Sequence, residues 1–213
     1  MVCYAKQSTD FKVQTDWRRY SDDEDLSELY IISNKISHID SCSFAHMSRL
    51  TKLGLRWNEI MSVNRNIFVG LNCLEELDLI DNKLTKLEAD TFLPLNGLKK
   101  LMLGLNEISI IEKNAFRGLG KLEWLCLENN MLTKIHSHTF EHLIKLKVLY
   151  LWENEISTLD QHALMFMNDL EEISFGKNNV TKLEPGTFAG LHKLKKLHLR
   201  WNEIRYLEKN VFV

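Results

Sequence analysis

The sequence has few of the residues that divide a chain into separate domains. Its 213 residues include two prolines, Pro94 and Pro185, and nine glycines, so no proline-rich or glycine-rich linker interrupts it. No apolar run is long enough to cross a membrane, and the N-terminal residues 1–20 contain no apolar leader core. These absences predict one folded domain, which is either cytosolic or has lost a leader.

Motifs of catalysis and of phosphate binding are also missing. There is no GxSxG elbow, no HExxH helix and no glycine-rich phosphate loop. The formal net charge is -2, which gives no reason to expect binding to nucleic acid or insertion into a membrane. We therefore expect a non-enzymatic protein without a cofactor and without a nucleic-acid partner.

Neither the cysteines nor the histidines predict a metal site. The four cysteines are Cys3, Cys42, Cys73 and Cys126. They form no CxxC pair, so no zinc site is predicted, and their pairing cannot be deduced from the sequence. An HxHxxxH pattern is formed by His136, His138 and His142. We interpret these histidines as solvated surface residues on the convex half of one repeat, where no cysteine or paired acid is expected beside them.

A leucine instead recurs every 24 residues from residue 26 onward. The series is Leu26, Leu50, Leu74, Leu98, Leu122, Leu146, Leu170 and Leu194. Each of these leucines opens a segment of the form LxxLxLxxN, so residues 26–213 comprise seven complete repeats and a truncated eighth. Alternating leucines share one face of a short strand, and stacked repeats pair such strands into a parallel sheet with an apolar core behind it.

Each predicted strand is followed by an asparagine, and the second half of each repeat carries a bulky apolar residue. The asparagines are Asn34, Asn58, Asn82, Asn106, Asn130, Asn154, Asn178 and Asn202. Inward amides can satisfy backbone groups of the turns above and below them, so a structural asparagine ladder is predicted. An aromatic spine is predicted from Phe44, Phe68, Phe92, Phe116, Phe140, Phe188 and Phe212. Leu164 replaces phenylalanine in the sixth repeat, where we expect local irregularity.

This pattern resembles the leucine-rich repeat family, in its typical 24-residue subclass. The resemblance implies an α/β-type repeat solenoid, a horseshoe with a parallel β-sheet on the concave face and short loops or 3-10 turns on the convex face. It extends from residue 26 to 213. Residues 1–25 are expected to be a partial N-terminal cap or flanking segment, although the several cysteines of family caps are missing. With the eighth repeat truncated and no C-terminal cap, we expect the chain to be a fragment.

The typical subclass is common in extracellular proteins such as Toll-like receptor ectodomains, Slit-type guidance proteins and insect immune proteins. The resemblance implies a recognition module that binds a protein through its concave face, in a secreted or cell-surface protein of receptor-like, immune or adhesive type. Two alternatives remain open, namely an intracellular scaffold or regulatory subunit, and a self-associating matrix protein such as a homodimer. Charges before the strands alternate between acid and base from repeat to repeat, which we interpret as register and solubility.

Large apolar residues occupy strand positions that alternate with the core leucines. Such positions face away from the core, and tryptophan, tyrosine and methionine are enriched in interface cores. The candidate partner-binding residues are Met102, Trp124, Val148, Tyr150, Trp152, Trp57 and Trp201. The alternative is that these side chains pair with one another and stiffen the sheet. The only Asn-x-Ser/Thr sequon begins at Asn179, which is the candidate glycosylation site.

Overall fold

Among the described residues, nine short strands form one parallel sheet. The computed structural model describes residues 2–4 and 26–212 of the chain. The nine strands are β1 (Val2–Tyr4), β2 (Glu28–Tyr30), β3 (Lys52–Gly54), β4 (Glu76–Asp78), β6 (Lys100–Met102), β8 (Trp124–Cys126), β10 (Val148–Tyr150), β12 (Glu172–Ser174) and β14 (Lys196–His198). From β2 onward each residue pairs with the one 24 positions later, as Leu29 does with Leu53. The leucine spacing therefore sets the register of the sheet.

Three further parallel sheets occur within residues 26–212, and each is formed by two-residue strands from two neighbouring repeats. They are β5 (Lys86–Leu87) with β7 (Ile110–Ile111), β9 (Lys134–Ile135) with β11 (Thr158–Leu159), and β13 (Lys182–Leu183) with β15 (Tyr206–Leu207). The far side of each repeat consists of turns, held by bonds such as the one from the Leu95 amide to the Phe92 oxygen, at 2.9 Å. Residues 2–4 and 26–212 contain no helix. The predicted parallel solenoid is confirmed. The helical part of the predicted α/β fold class is not found in these residues.

The core is built from inward leucines and from the predicted aromatic spine. Leu101 and Leu103 are completely buried behind the sheet. On the opposite side of the core the rings of Phe92 and Phe116 stack with centroids 6.2 Å apart. Leu164 is also buried, and Met167 donates to its carbonyl oxygen at 3.1 Å, as Leu95 does to Phe92. The sixth repeat keeps the ordinary turn, so the expected irregularity is not found.

The asparagine ladder ties each repeat to the one before it. The Nδ2 atom of Asn106 donates to Leu103 O in its own repeat, at 3.1 Å, and to Leu79 O in the preceding repeat, at 2.9 Å. Its Oδ1 atom accepts from the Leu84 amide of the preceding repeat at 3.0 Å. The same pattern recurs at Asn58, Asn82, Asn130, Asn154, Asn178 and Asn202. Each asparagine therefore bonds to its own turn and to the preceding one, rather than to turns on both sides.

Asn34 differs from the other ladder residues. It donates to Ile32 O at 3.0 Å, and its buried Oδ1 atom has no hydrogen-bond partner within the described residues. Strand β1 pairs with β2, whereas residues 5–25 of the predicted N-terminal segment lie outside the described residues. Asn34 thus supplies an internal comparison for the energetic weight of the ladder.

Charged side chains at the edge of the sheet pair between neighbouring repeats, as the alternation predicts. Lys99 contacts Glu75 at 2.7 Å and Lys147 contacts Glu123 at 2.8 Å, each across 24 residues. These pairs lie at the exposed margin of the sheet. They support the interpretation that the alternation contributes to the register of the sheet and to solubility.

Removing a complete ladder asparagine should destabilise the fold more than removing Asn34. We expect Asn106→Ala to cost about 1–3 kcal/mol, because it leaves buried backbone groups unpaired. Asn34→Ala should cost clearly less, and Leu103→Ala about 2–5 kcal/mol through the cavity it creates. Urea denaturation of the three variants measures these losses. Equal midpoints for Asn34→Ala and Asn106→Ala would contradict the role assigned to the ladder.

Candidate protein-interaction surface

The face of the sheet that points away from the core, here called the open sheet face, carries the predicted apolar residues. Alternation along each strand places them there, because the leucines between them point inward. Half-buried side chains on the strands, or two positions beyond them, are those of Met102, Trp124, Val148, Tyr150 and Trp152. Trp57 and Trp201 follow their strands and are 46% and 67% exposed. The outward assignment of these residues is confirmed, whereas their role in binding stays a prediction.

A first group of contacts crosses five strands around Trp124. The Nζ atom of Lys100 lies 4.7 Å from the Trp124 ring centroid, and the Tyr150 ring meets Trp124 edge-on at 5.5 Å. The Tyr150 hydroxyl donates to Glu172 Oε1 at 3.1 Å. Lys196 then contacts Glu172 at 2.9 Å. These contacts hold both rings in place, so little rotational freedom remains to be lost on binding.

A second group contains Trp152, Trp201 and Arg200. The two tryptophan rings meet edge-on with centroids 5.2 Å apart. The Arg200 guanidinium lies 4.6 Å from the Trp152 ring and 5.0 Å from the Trp201 ring. Trp152 covers Gly176, where an added Cβ atom would lie 2.3 Å from the ring. Trp152 therefore packs against the sheet as well as facing outward, and the stiffening role applies to part of its surface.

Trp57 stands apart from both groups, in the second repeat. Its partner is Arg56, whose guanidinium lies 4.1 Å from the ring. Trp57 and Trp201 share a left-handed backbone, with φ values of 58° and 57°. That conformation, which is uncommon for a bulky residue, recurs at the position before every ladder asparagine and turns these side chains outward.

The arginine partners were missed in the sequence, although a signal for them exists. The hexapeptide Leu-Arg-Trp-Asn-Glu-Ile occurs at residues 55–60 and again at residues 199–204. In both copies the arginine lies over the tryptophan that follows it. An identical stretch in two repeats indicates a recurring local arrangement, and here that arrangement is a cation–π pair.

Carboxylates with few counter-ions lie near the middle of the open sheet face. Asp78 is half-buried and accepts from the Ile80 amide at 3.0 Å. Glu128 is also half-buried, and its nearest polar partner is the Cys126 thiol at 3.8 Å. Burial raises the pKa of both carboxyl groups, and at Glu128 the charge of Glu153 raises it further. Burial also raises the pKa of Cys126 to about 11, so this thiol is a poor nucleophile at neutral pH.

The remaining sequence candidates lie away from the open sheet face. Asn179 and Thr181 of the sequon are exposed. His138 and His142 both contact Glu141, at 3.1 and 3.6 Å, and His136 contacts Asp160 at 3.7 Å. The expectation that no acid lies near these histidines is therefore wrong. Among residues 26–212 no group of three or more side chains has the arrangement of a metal site. The described part of the chain also contains no helix with the length and hydropathy of a membrane span.

The stacked parallel strands, the inward leucines and the asparagine ladder together define a β-solenoid that exposes one face of its sheet. The profile of the leucine-rich repeat family matches residues 24–84, 74–132, 121–175 and 169–213. The chain belongs to the leucine-rich repeat family. Its members with this architecture are typically binding modules rather than enzymes. No curated protein matches the chain.

Solved structures of other leucine-rich repeat proteins share the fold. A leucine-rich repeat protein of Leptospira interrogans is 26% identical, with a TM-score of 0.80 over 97% of this chain and 56% of its own. TLR13, in its complex with ssRNA13, is 28% identical, with a TM-score of 0.72 over 87% of this chain and 31% of its own. Toll of Drosophila, in its complex with Spatzle, is 24% identical, with a TM-score of 0.76 over 87% and 24%. This chain therefore spans between about a quarter and about half of those chains.

These structures support one prediction about partners and leave another without support. The complexes of TLR13 and Toll are consistent with a binding role for the fold. Since one of them contains RNA, the comparisons give no support to the prediction that nucleic acid is not a partner.

Neutralising Glu128 should stabilise the protein at neutral pH. Folding raises the pKa of the Glu128 carboxyl, so its charged form destabilises the folded state. This loss of stability is absent below the unfolded pKa of 4.5, and it is complete once the pH exceeds the pKa in the folded state. We expect Glu128→Gln to raise the urea midpoint at pH 7, with the difference vanishing as the pH falls below 4.5. The exposed Glu155→Gln is the control. A lower midpoint for Glu128→Gln at pH 7 would show that the carboxylate is stabilising.

Proposed function

We propose that this chain is a non-catalytic recognition module that binds a protein through its open sheet face. The observation that carries the proposal is the pair of aromatic groups around Trp124 and Trp152, held in fixed positions on a face that the core does not cover. Aromatic rings offer a large contact area at a low cost in conformational entropy. A sheet of regularly repeated positions also lacks the deep cavity that desolvates reacting groups in enzymes.

The proposal includes a setting outside the cell, in a secreted or cell-surface protein of receptor-like, immune or adhesive type. TLR13 and Toll, as receptors whose structures contain a bound ligand or partner, support this setting by similarity. An intracellular scaffold and a self-associating matrix protein are the competing functions. Sedimentation at several protein concentrations separates the last of these, because a homodimer formed through the sheet would dissociate on dilution.

Trp152→Ala and Trp124→Ala should weaken partner binding more than they weaken the fold. Truncating an aromatic anchor typically costs about 2–4 kcal/mol of binding. The partner is sought on an array of secreted and cell-surface proteins of the source organism, and each variant is then compared by affinity and by urea midpoint. Ile144→Ala, which truncates a residue 53% exposed outside the open sheet face, is the control. Normal binding by a Trp152→Ala protein of much lower stability would assign this ring to the scaffold.

Asn179 should carry a glycan when the chain passes through a secretory pathway. The residue is exposed, and its backbone amide is held by Ile156 O at 2.9 Å, so the side chain lies at an ordered edge of the solenoid. Intact mass before and after enzymatic deglycosylation measures occupancy, with Asn179→Gln as the unmodified control. An unchanged mass would remove glycosylation as support for the extracellular setting.

A further inference from the structure

The charge of the open sheet face is uneven, and its middle is acidic. In repeats three to six, three outward positions are considered in each repeat: the last residue of the strand, the residue two positions later, and the residue before the ladder asparagine. Four of these twelve positions are acidic. These residues are Asp78, Asp81, Glu128 and Glu153. The same twelve positions contain no lysine, arginine or histidine. We call this part of the open sheet face, between Asp78 and Glu153, the central patch.

Three of the four carboxylates form no ion pair within the described residues, although the charges of Arg56 and Lys100 lower the pKa of Asp78 against the larger effect of burial. Glu153 pairs with Lys177 of the next repeat. Among residues 26–212, no lysine, arginine or histidine forms an ion pair with Asp78, Asp81 or Glu128. Elsewhere on the sheet, Lys52 and Lys196 do form such pairs with acids on neighbouring strands. Within the same residues Arg56, Lys100 and Arg200 form no ion pair either, but each lies over a tryptophan ring. The central patch therefore stands out as a concentration of acidic side chains, three of which form no ion pair.

The surface of the central patch is also low and partly apolar. Gly104 has no side chain and Cys126 is buried, so no large side chain projects from the open sheet face at these two positions. The Trp152 ring lies over Gly176, and the Tyr150 hydroxyl bonds to Glu172. Both side chains therefore extend toward the seventh repeat and leave the central patch of the third to fifth repeats uncovered. Half-buried Met102 remains on the open face. A side chain from outside can therefore reach the sheet between the carboxylates.

A shallow cavity of about 350 Å³ borders the central patch. Asp81, Leu105 and Glu107 contribute to its lining, and Leu105 is 49% exposed. Lys83 also lines the cavity, but its Nζ atom contacts Glu59 at 2.9 Å. The cavity thus extends the acidic and apolar character of the central patch beyond the strands.

We propose that the protein partner docks on the central patch with a lysine or arginine side chain. This inference rests on the proposed function and specifies the chemistry of the partner. The aliphatic stem of such a residue can lie on Met102 or Leu105 while its charged head contacts a carboxylate. A charge-assisted hydrogen bond to Glu128 would supply the counter-ion that the fold does not provide. Phosphate groups would meet like charge here, so a basic protein segment fits the patch and nucleic acid does not.

Selection from a library of random dodecapeptides displayed on phage tests the inference. The chain alone is the bait, and the affinity of each selected peptide is then measured for the chain and for the Asp78→Asn, Glu128→Gln double variant. We expect the selected peptides to contain lysine or arginine next to apolar residues. Their affinity should fall about tenfold or more in the double variant and on changing the basic residue of the peptide to methionine. Glu155→Gln should leave the affinity unchanged, and urea midpoints establish that every variant is folded.

Other outcomes separate this inference from the proposed function. Peptides that lose affinity in Trp152→Ala but not in the double variant would overturn the basic partner and leave the open sheet face as the binding surface. Peptides unaffected by both changes would overturn both proposals. A selection without basic peptides, or displacement of the peptides by single-stranded oligothymidine, would overturn the inference.

Discussion

The hydrogen bonds of the ladder asparagines hold one repeat on the next, and the open sheet face depends on them. Each complete ladder residue satisfies backbone groups in its own turn and in the preceding one, as Asn106 does through Leu103 and Leu79. These groups lie in the core, where an unpaired amide or carbonyl is costly. The bonds also fix the turn in which the preceding residue adopts a left-handed backbone. The outward directions of Trp57, Leu105 and Trp201 therefore follow from the same constraint that stacks the repeats.

Much of the fold could be predicted from residue spacing, because each spacing has one physical solution. The 24-residue leucine period predicts a parallel stack, and the alternation within each strand places Trp124 and Tyr150 opposite the core. The α/β fold class could not be decided from residue spacing, because turns and helices bury the Phe92 position equally well. The three minor strand pairs were not foreseen, because two-residue strands such as Lys86–Leu87 have no periodicity of their own.

The candidate site was only partly predictable, because its contacts cross repeats in more than one way. Lys100 and Trp124 are 24 residues apart, so their contact follows from the register. Trp152 and Trp201 are separated by two repeats and one position, and they meet because Gly176 between them leaves room for the ring. The isolation of Glu128 from cations depends on which lysine pairs with which acid. That choice is made by side-chain geometry and is not visible in composition.

The open sheet face joins two kinds of surface that together define a partner. Rigid aromatic rings form the groups around Trp124 and Trp152, and they adjoin an acidic patch in which three of the four carboxylates form no ion pair. The first supplies contact area, and the second selects for charge and orientation. Stability alone does not explain the second, because burial raises the pKa of Glu128 and Asp78. Carboxylates that form no ion pair and lie on an uncovered face are better explained by binding than by folding.

The central claim is that partners contact the open sheet face rather than the opposite side of the solenoid. Site-specific photo-crosslinking tests it most directly, with p-benzoylphenylalanine placed at Met102 on the open sheet face or at Met165, which is 49% exposed among the turns. The bound partner should crosslink to position 102 and not to position 165. Crosslinking at position 165 alone would show that the turns bind the partner and that the aromatic rings of the sheet belong to the scaffold.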